Sequence, residues 1–260
     1  MFENFDPNQN HYFFEKKDSI PTVFIHGVGL DHQMWDKQVN YLKEFSILTY
    51  DLLGHGKTPC NKEKLNFNDF SNQLLEILDH LEIEKINLVG FSLGSLIALD
   101  FSSHYQKKIE KLLLIGTTYK RSAKERSLVL ERYNQAKLNK PISKQALKRW
   151  FSDKYLENNQ KTYDLFMNIL NKQPEDHKNF LKAYELFANH KDNIAEIQKI
   201  DRKTLVMTGS DDLGSTPKMS EELVKDLVNS SYIEIKGGKH LCSIECADDV
   251  NMNIKNFINN

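Results

Sequence analysis

Residues Gly90-Phe91-Ser92-Leu93-Gly94 place a serine between two glycines, directly after the apolar run Ile86-Asn87-Leu88-Val89 and ahead of a helix-period segment. A strand that turns abruptly into a helix forces its turn residue into a strained backbone, and the glycines remove side chains that would clash there. Such a turn lifts a hydroxyl out at the carboxyl end of a sheet, beside a helix N-terminus whose dipole favours developing negative charge. The chemistry this suits is attack on a carbonyl carbon. Without the strand before it and the helix after it, the same pentapeptide would be a tight turn with an inert serine.

A serine hydroxyl is a weak nucleophile and needs a base. Of nine histidines, His80, His104, His177 and His190 fall in helical surface patterns, where solvated side chains are the ordinary reading. His240 differs. It follows the last apolar run, 232–235, through Gly237-Gly238-Lys239, which sets it on a loop at the carboxyl edge of the sheet. A third group must hold the imidazole tautomer and stabilise the imidazolium. Gly209-Ser210-Asp211-Asp212 follows the run 204–207 and offers two carboxylates at the same edge. The chain order serine, acid, histidine is one of the few in which this constellation recurs.

The elements that must carry these groups are legible in the apolar pattern. Short runs at 22–25, 47–50, 86–89, 112–115, 204–207 and 232–235 are continuous rather than alternating, as in strands buried on both faces of a parallel sheet. Helix-period segments fall between them at 67–81, 92–105, 221–228 and 250–258, which predicts an α/β fold with a doubly wound, mostly parallel sheet. The stretch 119–199 has no strand-like run and reads as three or four helices, broken near Pro141 and Pro174. The expectation is one domain spanning 1–260, with a helical lid inserted at about 119–199. Phe180, Tyr184 and Phe187 share one helix face there. Such stripes usually pack against neighbours, but this one also has the position to roof a site at the carboxyl edge.

Composition narrows the partners. Thirty-five basic residues against 36 acidic ones give a formal net charge of -1 over 260 residues, a balance without the field that draws nucleic acid or anionic membrane. A small, roughly uncharged substrate is the expectation, with no cofactor and no metal. The N-terminal MFENFDPNQN lacks the basic and apolar regions of a secretory signal, and no run approaches the ~20 apolar residues of a membrane span. Cys60, Cys242 and Cys246 lack metal-ligand spacing and read as free thiols of a reducing cytoplasm. Oligomeric state is not legible.

Four stretches together resemble the α/β-hydrolase superfamily over essentially the whole chain: Phe24-Ile25-His26-Gly27-Val28-Gly29, Tyr50-Asp51-Leu52-Leu53-Gly54-His55-Gly56, the segment 89–94, and the paired acid and histidine loops. Within that fold the chain is similar to small lid-bearing carboxylesterases and enol-lactonases. The resemblance implies a catalytic triad of Ser92, Asp212 and His240, with Asp212 chosen over Asp211 by its place three residues after Gly209. It also implies an oxyanion hole from the backbone N–H groups of Val28 and Leu93, a pocket beside Phe91 and Leu241, and bracing roles for His26 and His55. Residues 51–56 look like a structural turn rather than a metal or phosphate loop. Ser95, where many relatives carry a second glycine, implies looser packing of helix on strand.

The implied activity is hydrolysis of a carboxylic ester or lactone with small to medium, largely uncharged acyl groups. Haloalkane dehalogenases and epoxide hydrolases resemble this fold but carry an aspartate where Ser92 stands. Carbon–carbon bond hydrolases keep the serine but usually follow the histidine with tryptophan, where this chain has Leu241, and bring an arginine into the site. Enol-lactone hydrolysis, cofactor-free perhydrolase chemistry, carbon–carbon bond hydrolysis and a ligand-binding role on a hydrolase scaffold remain open alternatives.

Overall fold

In a computed structural model, residues 2–138 and 143–260 are described, and Pro141 lies outside them. Eight strands form one sheet in the order β1-β2-β4-β3-β5-β6-β7-β8. They are β1 (Phe2–Phe5), β2 (His11–Glu15), β3 (Thr22–Ile25), β4 (Ile47–Tyr50), β5 (Ile86–Phe91), β6 (Ile109–Ile115), β7 (Lys203–Gly209) and β8 (Ser230–Ile235). From β4 to β8 every pairing is parallel, whereas β1 on β2 and β2 on β4 are antiparallel.

The six expected strands are all present, and the four central ones are fully buried over the expected cores, as continuous apolarity requires. The N-terminal pair β1 and β2 was not expected. Its residues, FENF and HYFFE, mix acids and histidine with aromatics, and a sheet edge tolerates that mixture.

Helices cover both faces: α1 (Asp36–Tyr41), α2 (Phe67–His80) and α3 (Leu93–His104) in the first half, and α10 (Pro217–Asp226), α11 (Cys242–Glu245) and α12 (Ala247–Asn259) in the last. The α2 helix starts at a reciprocal capping box, in which Asn66 and Asp69 each bond the other's backbone N–H. Its buried stripe of Phe70, Leu74, Ile77 and Leu78 packs into the core on one side of the sheet.

Between β6 and β7 the described chain forms six helices rather than three or four: α4 (Ala123–Lys137), α5 (Ser143–Trp150), α6 (Asp153–Asn158), α7 (Gln160–Leu170), α8 (Pro174–Asn189) and α9 (Ile194–Ile197). The extra breaks have local causes. Ser152 caps α6, and its hydroxyl also donates to Glu245, so the chain is tied down where a longer helix would run on. Pro174 opens α8 at the first-turn position that tolerates its missing N–H. The aromatic residues of the insertion divide between two cores. Phe180, Tyr184 and Phe187 join the cluster with Leu93 and Tyr119, whereas Phe151 and Phe166 join the one with Phe91 and Leu241.

Candidate active site

Ser92 occupies the turn between β5 and α3 with φ 54° and ψ -112°, a left-handed backbone for a non-glycine residue. Strain of this kind costs about 1–3 kcal/mol and persists only where the surroundings enforce it. The enforcement is visible in the flanking glycines. A Cβ on Gly90 would lie 2.4 Å from the Gly94 carbonyl oxygen, and one on Gly94 would lie 2.3 Å from that of Ile25. Ser95 ties this turn rather than loosening it. Fully buried, its hydroxyl donates to the carbonyls of Gly90 at 2.7 Å and Ile115 at 3.1 Å.

The loop after β8 brings the His240 Nε2 to 3.2 Å from the Ser92 Oγ, and the loop after β7 brings the Asp212 Oδ2 to 2.6 Å from the His240 Nδ1. The other Asp212 oxygen accepts the N–H groups of Gly214 at 2.8 Å and Ser215 at 3.0 Å, which fixes a carboxylate that is 3% exposed. Asp211 is exposed, and its carboxylate takes the Ser210 hydroxyl instead. The acid facing the histidine is therefore Asp212.

Two histidines brace the loop that follows β3. The His55 Nε2 accepts the Gly29 N–H at 3.0 Å, and the His26 Nε2 accepts the Leu52 N–H at 2.9 Å while its Nδ1 donates to the Gly27 carbonyl at 2.8 Å. Both accepting nitrogens must be unprotonated. Burial pushes His26 down to about 4 and His55 well below the ordinary histidine value, so both are neutral at neutral pH. Val28 sits between these braces. Among the described residues, neither its N–H nor that of Leu93, the first residue of α3, donates to a protein acceptor.

Ser92 and His240 open onto a cavity of about 350 Å³, whose walls include Val28, Phe91, Trp150, Leu170, Phe180, Tyr184 and Phe187. The helices between β6 and β7 thus contribute apolar side chains to the walls of the serine's cavity. Leu241 does not line the cavity. It is fully buried in the core cluster below, and its N–H donates to the Trp150 carbonyl at 3.0 Å. The cavity also carries groups that the sequence reading missed: Arg121, Arg132, Lys148, Arg149 and Lys239. A net charge near zero says nothing about where the charges gather, and no local motif marks these five as neighbours.

Among the described residues, His11, His32 and Asp51 form the group whose ligand atoms, all within 4.8 Å of one another, could hold a metal ion. The present contacts are hydrogen bonds. Asp51 accepts the Nδ1 of His11 at 2.6 Å, the Nδ1 and N–H of His32, and the N–H of Lys57. None of the three residues lines the cavity. The Asp51 segment is thus a turn held by its carboxylate.

An eight-stranded, mostly parallel sheet, with Ser92 on a positive-φ strand-to-helix turn at its carboxyl edge, is the architecture of the α/β hydrolases. The chain belongs to the alpha/beta hydrolase fold family, whose model matches residues 21–246. It is 26% identical over 247 residues to an (E)-2-((N-methylformamido)methylene)succinate hydrolase of Acinetobacter baylyi, covering 94% of this chain and 92% of that protein. It is 21% identical to 3-oxoadipate enol-lactonase 2 of the same organism, covering 91% of this chain and 87% of the relative. A solved structure of the enol-lactonase from Burkholderia xenovorans superposes with a TM-score of 0.89 at 23% identity, covering 99% of this chain and all of that one. No helix among the described residues is long and apolar enough to cross a membrane.

Proposed function

We propose that this protein cleaves a carboxylic ester or lactone through an acyl-enzyme on Ser92, with His240 as general base and Asp212 orienting its imidazole. The observation that carries the reading is the unbroken relay from the Asp212 Oδ2 through both His240 nitrogens to the Ser92 Oγ, at the wall of an apolar cavity.

The Ser92 Oγ attacks the substrate carbonyl and gives its proton to the His240 Nε2. Asp212 holds Nδ1–H and stabilises the imidazolium. The carbonyl oxygen becomes an oxyanion, and the Val28 and Leu93 N–H groups, which donate to no protein acceptor among the described residues, receive it. Removing one such donor costs roughly 3 kcal/mol of transition-state stabilisation. Collapse expels the alkoxide, which takes the proton from His240; in a lactone it stays attached to the acyl chain. A water then attacks the acyl-serine ester, again giving a proton to His240, and the acid leaves with Ser92 restored. Helices α4 to α8 act as a lid, whose apolar side chains exclude water and so strengthen the oxyanion contacts.

The relatives' printed names, a hydrolase and an enol-lactonase, favour this reading over a binding role on a hydrolase scaffold. Its test is turnover of p-nitrophenyl esters and of lactones of graded size. Hydrolysis that vanishes in Ser92→Ala supports the reading. A parent protein that turns over neither class contradicts it.

A further inference from the structure

His240 reaches Ser92 from the loop between β8 and α11, and both of its chain neighbours are tied to the segment where α5 ends and α6 begins. On one side, the Leu241 N–H donates to the Trp150 carbonyl at 3.0 Å. On the other, the Lys239 Nζ donates to the Lys148 carbonyl at 3.0 Å, and the Lys239 N–H donates to the Glu245 Oε2 at 3.4 Å. Glu245, half-buried at the end of α11, carries that tie onward. Its two oxygens share the Ser152 N–H at 3.2 and 3.3 Å, and Oε1 also accepts the Ser152 hydroxyl. One carboxylate thus joins the residue before the histidine to the residue that caps α6.

The geometry at stake leaves little slack. The His240 ring is held between the Asp212 Oδ2 at 2.6 Å and the Ser92 Oγ at 3.2 Å, so a shift of its backbone that favours one contact opens the other. The Asp211 N–H fastens the histidine loop to the acid loop by donating to the Gly238 carbonyl at 2.9 Å. Glu245 fastens it to the helices that wall the cavity. Trp150 lines that cavity, so the segment 148–152 meets the substrate space and the histidine loop together.

We propose that Glu245 is a positioning residue, whose carboxylate sets the reach of His240 to Ser92 by locking the histidine loop onto the segment 148–152. This rests on the hydrolase reading of Ser92 and His240. Hydrogen bonds to an ionised acceptor are roughly twice as strong as neutral ones, and two carboxylate oxygens hold donors from two segments at once. A misplacement of about 1 Å at a reacting group costs on the order of 10²-fold in rate. Glu245 serving only as a tie for α6 would affect folding and leave the reaction at each intact serine unchanged.

The test compares Glu245→Ala, Glu245→Gln and Ser152→Ala with the parent on p-nitrophenyl acetate. Rates are taken per serine titrated to completion with a fluorophosphonate, so that unfolded protein does not count. Glu245→Ala should lower kcat by about 10- to 100-fold with KM little changed. Glu245→Gln, which keeps one accepting oxygen, should recover part of the loss. Ser152→Ala should lose less than Glu245→Ala, and the double variant no more than Glu245→Ala alone, because both act through one bridge. Where Glu245→Ala does not fold, Glu245→Gln and Ser152→Ala carry the same comparison. An unchanged kcat per titrated serine overturns the proposal, as does a loss confined to KM.

Ring-nitrogen NMR of isotope-labelled histidine reads the positioning without turnover. The His240 signals, identified by their absence in His240→Ala, should shift in Glu245→Ala, and unmoved signals overturn the proposal. The two readings separate in the same experiments. A parent that neither labels nor turns over, with His240 signals that move in Glu245→Ala, removes the hydrolase reading alone. A parent that labels at Ser92, with kcat and signals untouched by Glu245→Ala, removes the positioning role alone.

Discussion

Two buried carboxylates in this molecule each hold a histidine Nδ1 at 2.6 Å: Asp51 with His11, and Asp212 with His240. Both acids follow the carboxyl ends of parallel strands, β4 and β7. What separates the pairs is the far ring nitrogen. The His11 Nε2 meets a second carboxylate, Glu3 Oε1, at 2.9 Å, and its side chain is wholly buried. The His240 Nε2 meets a serine hydroxyl at 3.2 Å, beside a cavity. A histidine–carboxylate pair is equipped to act as a base only where the second nitrogen faces a proton donor and room for substrate. The other pair is a structural clamp. Burial alone would raise the Asp51 carboxyl, but the hydrogen bonds of His11 and His32 outweigh it and hold it well below the usual carboxylate range. Burial likewise opposes charge on His32, and Asp51 overrides it, raising the His32 pKa.

The contrast breaks most readily at the two acids. Asp212→Asn should lower kcat by ~10⁴-fold through loss of tautomer control, while Asp211→Asn should cost less than ~10-fold. A reversed ranking in steady-state kinetics would move the acid role to Asp211. Asp51→Asn should do the opposite kind of damage. Two histidines and two backbone donors lose their anion, so urea unfolding should show about 3–5 kcal/mol of destabilisation. Folded protein should still label at Ser92. A stable Asp51→Asn protein with a dead serine would place Asp51 in the catalytic relay.

A third prediction uses pH. His26 titrates near 4 when folded and near ~6.5 when unfolded, so the unfolded chain binds more protons between those values. Its contribution is therefore fully present above ~6.5 and is lost as pH falls towards 4, by about 3 kcal/mol. His26→Gln removes this term, so its stability deficit against the parent should shrink across that window in chemical unfolding. A deficit independent of pH would mean that His26 is not held neutral. The smallest effect concerns the helices between β6 and β7, proposed above as a lid. Replacing 123–189 with a Gly-Ser linker should raise KM about ten-fold or less and broaden substrate choice, with Ser92 still reactive. An unchanged KM in the folded variant would leave those helices a packing role only.

How far the sequence carried these conclusions differs by residue. Ser92 was legible because strand, glycines and helix must all be local for the turn to form. His240 followed from its loop after the last strand. Asp212 needed the family resemblance, since Asp211 fits the same loop equally well by residue type. The proposed oxyanion donors are backbone groups, so only the resemblance pointed to Val28 and Leu93. The clamp at Asp51 was not legible, because the pairing of β2 with β4 and the helical turn at 32–35, rather than sequence spacing, bring His11 and His32 to Asp51. Arg121 was hidden for a related reason. Its partners Thr118 and Phe187 are three and 66 residues away, and only the fold of the insertion brings it to the serine's cavity. Leu241 was misplaced because adjacency to His240 does not fix which way a side chain turns.

The most direct test of the triad is a covalent one. Incubation of the native protein with a fluorophosphonate, followed by intact-mass and peptide analysis, should show a single adduct on Ser92, slowed sharply in His240→Ala and absent in Ser92→Ala. No adduct on the folded native protein, or an adduct that persists in Ser92→Ala, would contradict the assignment of Ser92 as the nucleophile.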